Sequence, residues 1–231
     1  MPGSTVRPPA YQLLADELRE EITSGRLRPG ERLPPEPELC VRSGVSRSTV
    51  REALRLLASQ HLIVTTRGVT GGSFVAHPDA DQLSEALSTG LTLLSNTAGV
   101  GFADLLELRR ALEIPAAALA ASRRTEENLT QLRAALFDPE HDDLDTMLTA
   151  HADFHSAVAT ATGNPLYELV TRPLYHVSYG EEVIENLPAG YWLRIDADHR
   201  ELLECVAARD RDAAATVGRQ HLDYIVLANQ R

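Results

Sequence analysis

One segment, "SRSTVREALRLLASQ" from Ser46 to Gln60, constrains the fold most because it has two distinct faces as a helix. Four apolar residues recur at helical spacing and predict a buried face: Val50, Ala53, Leu54 and Leu57. Three arginines recur every four residues and share another face: Arg47, Arg51 and Arg55. Ser46 can cap the helix because its hydroxyl can accept from a first-turn amide. The segment is therefore predicted to pack on one side and carry a cationic row on the other.

The sequence around this segment indicates a winged helix-turn-helix. An amphipathic helix is predicted in "YQLLADELREEITSGRL", a short helix from Glu36 to Arg42, and a turn in "SGVS". After the two-faced helix, the apolar and β-branched runs "HLIVTT" and "GSFVAH" flank "RGVTG", which predicts a two-stranded ribbon. We therefore expect a DNA-binding domain over residues 8–78.

From Asp79 onward the pattern is helical. Leucines at helical spacing predict the first helix of this part: Leu83, Leu87, Leu91 and Leu94. Six more segments predict further helices: "ADLLELRRALEIPAAALAAS", "EENLTQLRAAL", "LDTMLTAHADFHSAVATAT", "PLYELVTRPLYHVSYGEEVIE", "IDADHRELLECVAAR" and "RDAAATVGRQHLDYIVLANQ". The predicted fold is mainly α, with an all-α bundle over residues 79–231.

Charge is distributed unevenly along the chain. Through Pro78 there are 10 arginines and 8 acidic residues, whereas from Asp79 there are 12 and 25, within a net charge of -11. An acidic bundle will not lie along DNA, but an arginine row in the first part can contact phosphates. The two parts are therefore expected to meet different partners.

No segment indicates export or a membrane. The first residues, "MPGSTVRPPA", lack the apolar run of a signal peptide, and the longest uncharged stretch is too polar to span a bilayer. Cys40 and Cys205 form neither a disulfide framework nor a metal motif. We expect a cytoplasmic protein.

The two-faced helix has the composition of a DNA-reading helix. Arginine matches the acceptors of guanine, and hydroxyls near a helix start suit phosphates or bases. The candidate contacts are Ser46, Arg47, Ser48, Thr49 and Arg51. The alternative is a solvated arginine face on an ordinary surface helix, which the neighbouring turn, ribbon and charge distribution disfavour.

A second candidate site is the histidine pair in "HADFH". His151 and His155 are four apart and share one helix face, close enough to bind one ion. Imidazole suits Zn, Ni, Cu and Fe. Because two ligands are too few, we expect His199 and His221, on later predicted helices, to complete the site. The alternative for each is an ordinary core or surface histidine.

The residues also carry a family resemblance. "LPPEPEL", "SGVSRSTVREALRLLASQHLI" and "RGVTGGSFV" resemble the winged helix-turn-helix of GntR-family regulators. "ELRRALEIPAAALAA" and "FHSAVATATGNPLY" are similar to the FCD ligand domain of the FadR branch. The resemblance implies DNA contacts from the recognition helix and from Gly68 at the wing tip. Pro37 stands where the family usually has an arginine, so one contact is missing.

The FCD resemblance also implies a metal and an effector. The family's ligands are an aspartate, the histidine of the "FH" motif, and two later histidines, which His155, His199 and His221 match. His151 replaces the aspartate, which shifts the preferred divalent ion toward softer metals, such as Zn or Ni, and away from Mn. Arg109 stands where the family places an effector-binding arginine, although a surface pair with Glu113 is the alternative.

We therefore expect a DNA-binding transcriptional regulator, a homodimer on double-stranded operator DNA, with a small carboxylate effector at the metal site. Enzymatic chemistry is disfavoured because "HADFH" has Ala152 at the position of the catalytic Glu in a His-Glu-x-x-His motif. Asp153 could be a base, but its position two residues after His151 directs it away from the histidine face. Two alternatives remain at this point. One is a metal-dependent hydrolase fused to a DNA-binding domain, and the other is a regulator whose bundle serves only dimerisation.

Overall fold

The computed structural model describes residues 8–68, 71–77, 79–97, 99–175 and 187–229. The chain divides into two compact units, Met1–Asp79 and Ala80–Arg231. The first unit contains α1 (Ala10–Thr23), α2 (Glu36–Ser43), α3 (Arg47–Ser59), β1 (Ile63–Thr66) and β2 (Gly72–Val75). The second contains α4 (Ala80–Thr97), α5 (Phe102–Arg123), α6 (Glu126–Ala134), α7 (Leu144–Ala161), α8 (Pro165–Tyr175), α9 (Tyr191–Ala207) and α10 (Arg211–Ala228).

The first unit is a winged helix-turn-helix around one apolar core. Its core residues come from all three helices and both strands: Leu14, Leu18, Leu39, Val50, Leu57, Ile63 and Val75. The two strands are antiparallel, with Ile63 opposite Val75. Gly44 ends α2 at φ +65°, a left-handed conformation that glycine adopts without a Cβ clash and that makes the turn into α3. The predicted mainly-α fold is confirmed.

Helix α3 begins as its sequence predicts. The Ser46 side chain accepts from the Thr49 amide at 3.2 Å and so satisfies one of the unpaired amides of the first turn of α3. Val50, Ala53 and Leu57 are buried. Leu54, predicted on the same face, is only half-buried.

The second unit is an all-α bundle centred on α5. Helix α5 packs against α7, α8, α9 and α10. Small side chains on α5 are buried and let the neighbouring helices approach closely: Ala116, Ala117, Ala120 and Ala121. Of the predicted helix from Pro165, the described part ends at Tyr175, and the rest lies outside the described residues. The predicted domain boundary at Pro78 also lies outside them.

Across the described residues, no helix is both long enough and apolar enough to cross a bilayer.

Candidate metal centre and DNA-binding surface

The cationic face of α3 is exposed. Arg47, Arg51 and Arg55 are all solvent-accessible. Arg51 Nε lies 3.0 Å from Glu36 Oε2 on α2, and Arg55 pairs with Glu52 at 3.2 Å. These exposed ion pairs are weak, because solvent screens them, and a phosphate or guanine can replace the carboxylate. The structure thus leaves the predicted arginine row available to DNA.

The wing has a tight glycine-rich tip. Gly68 has φ +114°, and its carbonyl accepts from the Gly71 amide at 2.9 Å. The two residues between them lie outside the described part of the chain. Arg32 supports the tip of the wing, since its Nη2 donates to the Gly71 carbonyl at 2.6 Å. The sequence motifs gave no indication of this role for Arg32.

Pro37 lies in the first turn of α2, where a proline is tolerated because its missing amide would have no intrahelical partner. Its exposed side chain is a ring in place of the family's usual arginine. The substitution is compatible with the helix and removes only the cation.

The four predicted metal ligands meet inside the bundle. His151 and His155 come from α7, His199 from α9 and His221 from α10. One ring nitrogen from each lies within 4.8 Å of the others. All four side chains are buried, with relative exposures between 1% and 8%. Tertiary packing therefore brings together residues that are up to 70 positions apart.

Hydrogen bonding orients the ring of His155. Its Nδ1 lies 2.8 Å from Glu113 Oε2 on α5, and its Nε2 lies 3.2 Å from Nε2 of His221. Because the carboxylate can only accept, Nδ1 of His155 carries the donated hydrogen. The Nε2 atom then presents a lone pair toward the other three histidines, as a metal ligand must.

Several nitrogens in the cluster have no hydrogen-bond partner among the described residues. They are Nδ1 of His151, both ring nitrogens of His199, and Nδ1 of His221. A buried polar atom without a partner costs about 1–3 kcal/mol. A cation that takes one lone pair from each ring could satisfy an unpaired nitrogen of His151 and one of His199 and so offset part of that cost. An all-imidazole set suits Zn or Ni. The donor set therefore fits a divalent metal.

Burial favours the neutral form of three of these imidazoles, those of His151, His155 and His199. It lowers the pKa of His151 and of His199 well below the ordinary value, and the neighbouring histidines lower both further. Burial lowers the pKa of His155 to about 4, although Glu113 opposes the shift. Histidine binds a metal in its neutral form, so the lowered pKa values of these three residues favour binding at neutral pH.

Aromatic stacking fixes the ring of His199. Its ring lies parallel to Phe154 at a centroid distance of 4.1 Å and parallel to His151 at 5.1 Å. The three rings form a short stack between α7 and α9. The position of His199 is therefore held by packing.

Arg109 is buried, with 1% relative exposure, whereas its predicted alternative was a surface pair. Its Nε donates to Glu113 Oε1 at 2.5 Å, and its guanidinium carbon lies 5.2 Å from the Tyr175 ring centroid. Burial raises the pKa of Glu113, but Arg109 and His155 together outweigh it and lower the pKa to about 2. Arg109 thus lies next to the histidine cluster, with Glu113 between them.

One site residue, Asp198, was missed in the sequence. Asp198, only 4% exposed, has Oδ2 at 3.4 Å from Nδ1 of His221, and its Oδ1 accepts from Arg194 Nε at 2.6 Å. The only sequence signal was an aspartate next to His199. Asp153, the one candidate catalytic base, is exposed and so does not join the buried cluster.

Comparisons with known proteins match both units. The family "Bacterial regulatory proteins, gntR family" matches residues 10–75, and the FCD domain matches residues 104–224. LutR of Bacillus subtilis (strain 168), a helix-turn-helix transcriptional regulator, is 32% identical over 216 residues, covering 88% of this chain and 94% of that protein.

Two further relatives agree. The Uxu operon transcriptional regulator of Escherichia coli (strain K12) is 28% identical, covering 97% of this chain and 88% of its own. The solved structure of Streptococcus agalactiae GntR has a TM-score of 0.58 at 24% identity, covering 93% and 98% of the two chains, and shows the same fold. LutR and the Uxu regulator are named as transcriptional regulators, and the prediction that this chain is a regulator and not an enzyme is confirmed. The chain belongs to the GntR family of DNA-binding transcriptional regulators and carries an FCD domain.

Proposed function

We propose that this regulator binds a divalent metal through His151, His155, His199 and His221, and that a small carboxylate bound there controls operator binding. The observation that carries the proposal is the meeting of four buried ring nitrogens within 4.8 Å. The unpaired nitrogens of the cluster give the chain a physical reason to hold an ion. The ion would supply a positive charge that attracts a carboxylate oxygen.

The proposed metal is Zn or Ni. Four neutral imidazoles give a softer donor set than three imidazoles and a carboxylate, so the site should disfavour Mn and Mg. His151, in the position of the usual aspartate, makes the difference. It also leaves the loaded site with the full charge of the ion, which favours an anionic effector.

The effector must open the site in order to enter. Side chains including Glu113, His155, Tyr175 and His221 line a cavity of about 10 Å³, which is the room that one water needs. A carboxylate with several heavy atoms therefore requires side-chain movement. Arg109 is the proposed partner for its charge, and it would have to share its guanidinium with Glu113, which it now holds.

Operator DNA is the proposed partner of the first domain, residues 8–78. We assign the major-groove contacts to the exposed start of α3, namely Ser46, Arg47, Ser48, Thr49 and Arg51, and place Gly68 near the minor groove. The effector domain, residues 79–231, would form the homodimer that a two-fold operator requires. Exposed leucines on α4 support this: Leu83, Leu87, Leu93 and Leu94. The regulator would act in the cytoplasm.

The test is operator binding by the full chain, measured by fluorescence anisotropy with reconstituted metal or with chelator. A panel of small hydroxy- and dicarboxylic acids should change operator affinity only when metal is present. Arg109→Ala, compared at a metal concentration that saturates the variant, should lose that response. A response that is the same with and without metal would reject the proposed link between the two sites.

The bundle as a dimerisation unit alone is the second candidate. The exposed leucines of α4 favour it, and the buried unpaired nitrogens count against it. Under this alternative, neither metal nor any carboxylate would alter operator affinity. The anisotropy experiment therefore separates the two.

A further inference from the structure

We propose that two buried carboxylates, Glu113 and Asp198, hydrogen-bond Nδ1 of His155 and of His221 and so position the Nε2 atom of each ring for metal binding. This inference rests on the proposed metal function. Neither carboxylate is assigned as a ligand. Each would fix the ring orientation of one histidine and decide which of its nitrogens carries the hydrogen.

Glu113 is already in place for this role. Its Oε2 lies 2.8 Å from Nδ1 of His155, on the far side of the ring from the Nε2 that meets His221. A histidine that donates one N–H to a carboxylate has its tautomer and ring orientation fixed, and its other nitrogen becomes a better donor to a metal. Glu113 therefore selects Nε2 as the ligand atom of His155.

Asp198 stands in the same relation to His221. Its Oδ2 lies 3.4 Å from Nδ1 of His221, and in the described residues both atoms lack a hydrogen-bond partner although both are buried. A small change in their separation and in the angle of the His221 ring brings them into hydrogen-bond geometry. The carboxylate oxygen can accept the hydrogen bond that a ring N–H at Nδ1 donates. With its hydrogen on Nδ1, His221 presents the lone pair of Nε2 to the metal, so Asp198 selects Nε2 as the ligand atom.

An arginine holds each carboxylate. Arg109 donates to Glu113 at 2.5 Å and Arg194 donates to Asp198 at 2.6 Å, in both cases from four residues earlier on the same helix. The two histidine supports thus repeat one arrangement on α5 and α9. Because a guanidinium balances each carboxylate, neither one is left as a bare anion competing for the metal. Arg109 acts as the clamp of Glu113.

The chain offers a matched control. Asp196 pairs with Arg200 at 2.7 Å, with the same four-residue spacing and on the same helix as Asp198 and Arg194. No described contact links Asp196 to the histidine cluster. Asp196→Asn therefore removes an equivalent charge from α9 without touching the site.

The experiment measures zinc affinity of the full chain by competition with a chromophoric chelator. Loss of such an outer carboxylate typically lowers metal affinity by about 10–100-fold, and we expect this for Asp198→Asn and Glu113→Gln. Asp196→Asn should stay within about twofold of wild type, a range well below that loss. Equal affinities for Asp198→Asn and Asp196→Asn would overturn the proposal for Asp198.

A second readout separates positioning from folding. The ¹⁵N shifts of the His221 ring report which nitrogen carries the hydrogen, and the zinc-loaded wild type should show it on Nδ1. Arg194→Ala alters a side chain that is 49% exposed, so it should fold and still weaken zinc binding by loosening Asp198. Unaltered zinc affinity and ring shifts in this variant would count against the clamp. A wild type that binds no zinc would instead reject the metal function itself.

Discussion

His155→Ala removes one ring that faces both the other histidines and Glu113. In the wild type, Nε2 of His155 is directed at the cluster and Nδ1 is bonded to Glu113 at 2.8 Å. The variant loses a ligand and leaves a buried carboxylate with one partner fewer. We therefore expect two effects on bundle stability, one that needs metal and one that does not.

Both effects have a calculable size. Metal that binds only the folded state, at 100 times its dissociation constant, adds about 2.7 kcal/mol to the free energy of unfolding. In a unit of this size about 1 kcal/mol moves Tm by about 2–4 °C, so saturating zinc should raise the wild-type Tm by about 5–11 °C. The unmet hydrogen bond of Glu113 should cost the metal-free variant about 1–3 kcal/mol.

Thermal unfolding with zinc and with chelator measures both effects. His155→Ala should show almost no zinc-dependent rise. His141→Ala is the control, because His141 is an exposed histidine of the same unit that pairs only with Asp138 at 2.9 Å among described contacts. It should keep the full rise. An equal zinc-dependent rise in the His155 variant would refute the assignment of His155 as a ligand.

Three further predictions concern DNA, metal choice and pH. Arg47→Ala or Arg51→Ala should weaken operator binding by about 1–3 kcal/mol if the side chain contacts a base. Fluorescence anisotropy measures this, with Arg133→Ala as the control. Unchanged binding in both variants would exclude these two arginines from the DNA interface. His151→Asp should shift preference from Zn toward Mn, measured by competition titration, because it adds a hard anionic ligand; an unchanged preference would exclude His151 from the ligand set. The metal-free protein should lose stability as pH falls from about 6.5 toward 4, since the His155 imidazole takes up its proton near 6.5 when unfolded but only at about 4 when folded. Denaturant melts should show the loss, about 1.4 kcal/mol per pH unit for this group, and a flat profile would contradict its neutral burial.

Local patterns were enough to predict the recognition helix. The buried face of α3 follows from apolar residues three or four positions apart, and the Ser46 cap acts on an amide three positions later. Both features depend only on residues close together in sequence. The same holds for the shared face of His151 and His155. These features follow from residue spacing, which can be read from the sequence and compared with the period of a helix.

Helix-to-helix contacts were not predictable in this way. The pairing of His155 with Glu113 depends on how α7 and α5 are rotated against each other. The approach of Asp198 to His221 likewise depends on how α9 packs against α10. Arg109 had the spacing of a surface ion pair with Glu113, yet both are buried because neighbouring helices surround α5. The exposed leucines of α4 show the reverse case, an apolar pattern that one chain does not bury.

Elemental analysis tests the central claim most directly. Wild type and His155→Ala are purified without chelator, incubated with Zn or Ni, freed of excess ion, and measured for metal per chain. We expect one ion per wild-type chain and a near-complete loss of metal in the variant. Absence of stoichiometric metal from the reconstituted wild type would contradict this expectation and make these four histidines ordinary residues of the bundle.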